Sequence, residues 1–96
     1  MKKYKIYFLL FTIFSNTLIS QNLADKKVLV VWGGWEGHKP ELFSNHVEKW
    51  LISQNADYKI NNGLDAYDNY DELIKYDLII QSVTMDEISK KQEENL

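Results

Sequence analysis

The sequence predicts an α/β fold built on a parallel sheet with right-handed crossovers, and three observations carry that expectation. Apolar, β-branched runs alternate with segments of helical periodicity. The first run, Val28-Leu29-Val30-Val31-Trp32, has no alternating polar positions, as suits a strand buried on both faces. Turn-forming residues close two of the runs, at Gly33-Gly34 and Asn62-Gly63.

In chain order, the first strand is expected over Lys26 to Trp32, followed by a turn-rich loop from Gly33 to Lys39. Pro40 suits a first helical position, where its missing N–H has no partner to lose, and Glu41 complements the helix dipole in the first turn. Leu42, Phe43, His46, Val47, Trp50 and Leu51 recur at helical spacing, so a helix is expected from Pro40 to Gln54 with that stripe inward and Asn55 as its stop. A weaker strand covers Asp57 to Asn61. Asp71 to Tyr76 reads as a short amphipathic helix with Leu73 and Ile74 inward and Asp68 or Asn69 as its cap. Tyr76 to Val83 reads as a third, strongly apolar strand. Ser89-x-x-Gln92 then has the form of a capping box opening a last helix. Three strands are fewer than the roughly five or more of a doubly wound sheet, so the chain reads as the N-terminal part of a larger domain.

The first twenty residues stand apart. Lysines at 2, 3 and 5 precede the apolar run Ile6 to Phe14, and small polar residues lead to Ser20. This is the layout of an export signal, whose apolar core runs about 7 to 15 residues. The run is shorter than the ~20 residues of a spanning helix, and Ser15 and Asn16 close it. Residues 1–20 are therefore expected to be a signal peptide, 21–25 a short linker and 26–96 the domain, giving a periplasmic or extracellular protein with no stable membrane span after cleavage. Loss of those three lysines moves the formal charge from −3 to −6.

Composition excludes several chemistries. The 96 residues contain no Cys, which removes disulfides, zinc ribbons and thiol nucleophiles from this chain. An acidic balance with no Arg argues against nucleic acid as a partner. The loop Gly33-Gly34-Trp35-Glu36-Gly37-His38 has neither dinucleotide nor P-loop spacing.

Function in such a sheet is expected at the carboxyl ends of the strands. Gly33, Gly34 and Gly37 free the backbone for close approach to a ligand. His38 is a candidate general acid or base, a candidate ligand for a divalent metal, or a residue that shapes the turn; Glu36, two positions away, could orient it. His46 reads as a helix-face residue. Trp32 is expected in the core and Trp35 free to stack on a sugar ring. Asp65 follows the second strand; Thr84, Asp86 and Glu87 follow the third. Asp86 and Glu87 read either as carboxylates for proton transfer or a cation, or as compensation of a helix dipole.

At these residues the chain resembles a known family. Val28 to Pro40, including Trp32-Gly33-Gly34-Trp35-Glu36-Gly37-His38, together with Leu64-Asp65-Ala66-Tyr67 and the stretch Asp77 to Ser89, is similar to the ThuA-like (trehalose-utilisation) family. The similarity runs from about Lys26 to Leu96. It implies a flavodoxin-like fold of the class I glutamine amidotransferase type, of which this chain would supply the N-terminal part, and a small carbohydrate ligand such as a trehalose-like disaccharide or a 3-keto sugar. His38 and Glu36 would then be catalytic, with Gly33, Gly34, Trp35, Gly37, Asp65, Thr84, Asp86 and Glu87 around the ligand. Without a Cys nucleophile, glutamine hydrolysis is not implied. A noncatalytic carbohydrate-binding module and a nonfunctional truncation are the competing expectations.

Overall fold

A computed structural model describes residues 23–96; the expected signal segment lies outside them. Three strands, β1 (Lys27–Gly34), β2 (Asp57–Asn62) and β3 (Leu78–Thr84), alternate with α1 (Pro40–Ser53), α2 (Tyr70–Leu73) and α3 (Lys90–Asn95). Short 3₁₀ turns fall at Glu36–His38 and Leu64–Tyr67. All strand pairs are parallel and the order is β2-β1-β3, so β1 is central.

Alternation along β1 builds two cores. Leu29 and Val31 pack on one face with Leu64, Tyr67 and Leu73; Val28 and Val30 pack on the other with Leu51 of α1. Burying each such aliphatic side chain contributes roughly 1.5–3 kcal/mol, which is why an unbroken apolar run occupies the middle strand. Tyr67 is buried, donates its hydroxyl to Gln81 Oε1, and burial pushes its phenol pKa up. α3 buries no residue and is held by amides instead: Gln92 Nε2 donates to Leu64 O (3.0 Å) and Asp68 Oδ1 (2.8 Å), and Asn95 Nδ2 to Tyr67 O (2.8 Å). The expected capping box is complete, with Gln92 N donating to Ser89 Oγ and Ser89 N to Gln92 Oε1.

Several boundaries and one face differ from expectation, among them the end of β2, which runs on to Asn62 rather than stopping at Asn61. β1 continues through Gly33 and Gly34, which pair with Val83 and Thr84 rather than opening a loop. β3 begins at Leu78 and not at Tyr76, because Asp77 clamps the start of β1: Lys27 N donates to its carboxylate (2.8 Å) and Asp77 N to Lys27 O (2.7 Å). α2 ends at Leu73, leaving Ile74 60% exposed, although Asn69 caps it as expected by accepting from Asp71 N. On α1 the buried line is Pro40, Ser44 and Leu51, with Val47 half-buried, while Leu42 is 57% and Trp50 47% exposed and His46 is exposed. At about 100° per residue the six-residue stripe spans half the helix circumference, and the sheet covers only the margin holding Val47 and Leu51.

Among the described residues no helix is long and apolar enough to cross a membrane.

Candidate functional site

The parallel register brings the strand ends level: Asn62 stands opposite Trp32, and Thr84 opposite Gly34. On either side of the β1 end the structure is different.

On the β3 side the chain closes on itself. Gly34 has φ +83°, and a Cβ there would stand 1.9 Å from the Thr84 carbonyl oxygen. Trp35 N donates to that oxygen at 2.9 Å. The next turn folds back so that His38 Nδ1 and Thr84 Oγ1 share a 3.0 Å hydrogen bond. The His38 ring meets Trp35 edge-on, with centroids 4.7 Å apart and planes at 71°. A Cβ on Gly37 would lie 2.3 Å from the Trp35 indole. The space on the Cβ side of Gly34 is taken by Thr84, and that of Gly37 by Trp35 of the same chain. One side of the Trp35 indole lies against Gly37, and the ring remains 53% exposed.

On the β2 side a cleft of about 650 Å³ opens between the strand ends and the first two turns of α1. Trp32, Gly33 and Gly34 line it from β1, Asn62 from β2, and Lys39 and Asn45 from the start of α1, with Glu36 and Glu41 also on its wall. Trp32, expected in the core, is half-buried and reaches this cleft. Gly33 has φ +149°, and a Cβ on it would meet Asn62 Oδ1 at 3.1 Å, so the carboxamide lies over a backbone that only glycine leaves bare. Lys39 turns the chain into α1 through a left-handed conformation, φ 51° and ψ 52°. Among the described residues the side chains of Asn62 and Asn45 make no hydrogen bond, and the ion pair present is Lys75–Glu72, not one involving Lys39, Glu36 or Glu41.

The residues expected to form one site are therefore divided. Gly33, Gly34 and Glu36 line the cleft; Trp35, Gly37, His38 and Thr84 form the closed turn beside it. Asp65 accepts from Asn61 Nδ2 (2.9 Å) within the turn after β2. Asp86 accepts from Glu87 N (2.9 Å) on an exposed turn entered through Met85 at φ 57°. Among the described residues no group of three or more His, Asp or Glu could hold a metal ion, so the metal reading of His38 gains no ligand set from them. Sequence reasoning missed Trp32, Lys39, Asn45 and Asn62 as cleft residues. For Asn62 the sequence held only its place in the turn that closes the second strand; its pairing with Trp32 is set by register.

Comparison with family models, with curated proteins and with solved structures gives no match to this chain.

Proposed function

We propose that the chain is an exported ThuA-like domain of carbohydrate utilisation, and that it takes a trehalose-like disaccharide or 3-keto sugar in the cleft on the β2 side. The observation that carries this reading is the cleft itself. It lies at the carboxyl ends of parallel strands, where open α/β sheets take ligands, and it sets unpaired amide and charged side chains around a half-buried indole. A sugar ring offers an apolar face for the indole and hydroxyls for the amides. The basic and apolar pattern of residues 1–20 supports export.

A second reading, catalysis, is favoured by His38. Its Nδ1 is fixed by Thr84 and its Nε2 makes no hydrogen bond among the described residues, an orientation that suits proton abstraction beside a keto-sugar carbonyl. One experiment separates the two. The full chain and its His38→Ala variant are titrated calorimetrically with trehalose and a 3-keto glucoside, and product is assayed in the same samples. Saturable binding by both, without turnover, is the expected result. Turnover lost in the variant while binding persists supports catalysis by His38; no binding of either sugar contradicts the carbohydrate reading.

A further inference from the structure

Three features outside the closed turn compete for a role: the outward stripe of α1, the edge of β3, and the paired strand ends at Trp32 and Asn62. Nothing in the structure shows what covers the first two. The third carries an argument.

The geometry points to Trp32 and Asn62 as a paired subsite for a neutral polyol, with Asn62 the residue that reads its hydroxyls. This deepens the carbohydrate reading above and rests on it. Residues in register on neighbouring parallel strands present their side chains to the same face of the sheet, about one strand spacing of 4.8 Å apart. Trp32 and Asn62 are such a pair, and both line the cleft. An indole and a carboxamide at that separation match one pyranose: its C–H face lies on the ring, and a vicinal diol reaches the amide.

Two further facts select the ligand class. The Asn62 carboxamide brings two N–H donors and one acceptor, spends none on the described residues, and is held over Gly33 where no side chain obstructs it. It can therefore both donate to and accept from neighbouring hydroxyls, which a carboxylate or ammonium cannot do. The charged members of the wall, Glu36 and Glu41 against Lys39, leave an excess of negative charge. An anionic sugar meets that excess as repulsion, so the cleft discriminates against phosphorylated forms.

The test uses the full chain and its Asn62→Ala variant, titrated with trehalose and with trehalose 6-phosphate as probes. Loss of the hydrogen bonds to one diol raises Kd for trehalose about three- to tenfold. Asn62 is exposed, so the urea midpoint of the variant is expected to stay unchanged. Asn62→Asp, which keeps the shape but loses the donors, serves as the second variant should the alanine chain fold poorly, and is expected to bind more weakly too. Trehalose 6-phosphate is expected to bind more weakly than trehalose to the unsubstituted chain. Equal trehalose affinity in Asn62→Ala and the parent overturns the subsite while leaving the carbohydrate reading intact. Tighter binding of the phosphate overturns the neutral selectivity. Absence of trehalose binding by the parent overturns both.

Discussion

The two flanks of the β1 end differ in what their polar groups do. On the β3 side the groups next to the backbone are paired within the chain: Thr84 O accepts from Trp35 N, Thr84 Oγ1 bonds His38 Nδ1, and Trp35 covers Gly37, which leaves His38 Nε2 outward. On the β2 side the side chains of Asn62, Asn45 and Lys39 stand around an open volume and make no hydrogen bond or ion pair among the described residues. A spent flank stabilises the fold and an unspent one is available to a ligand. The string Trp32 to His38, contiguous in sequence, is thus split by the fold into a ligand-facing part and a structural part.

The contrast predicts the largest effects on the closed flank. Gly34→Ala places a methyl group against the Thr84 carbonyl at a positive φ and is expected to cost about 3 to 5 kcal/mol, enough to unfold a small domain. Gly33→Ala strains the same strand, but its one tight contact is the movable Asn62 side chain, with the Gly63 backbone at ordinary contact distance, and it is expected to cost about 1 to 2 kcal/mol. Urea denaturation followed by circular dichroism reads both; equal losses at the two glycines would remove the asymmetry. A smaller effect is expected from Thr84→Val, which deletes the hydroxyl that holds His38: about 1 kcal/mol of stability, with trehalose affinity unchanged. A Thr84→Val chain that keeps its stability but loses the sugar would move the ligand to the β3 side.

The degree to which the sequence disclosed this arrangement follows from the range of the forces involved. Strand identities were legible because β1 must be apolar on both faces to fill two cores, and Val28 to Val31 can do little else. The capping box at Ser89 and Gln92 was legible because its bonds close within four residues. The buried face of α1 was not, because the apolar stripe from Leu42 to Leu51 is wider than the margin of the helix that packs on the sheet. The division of the rim was illegible for a different reason. It depends on register, which sets Thr84 against Gly34 and Asn62 against Trp32 over separations that no local pattern encodes.

The most direct test of that division is a residue-resolved one. Amide and indole ¹H–¹⁵N chemical shifts of the full chain are followed as trehalose is added. The prediction is that the backbone amides of Gly33 and Gly34, the carboxamide of Asn62 and the indole N–H of Trp32 move together and saturate, while the Trp35 indole and the His38 amide hold still. Shifts centred on Trp35 and His38, with Asn62 unmoved, would contradict it.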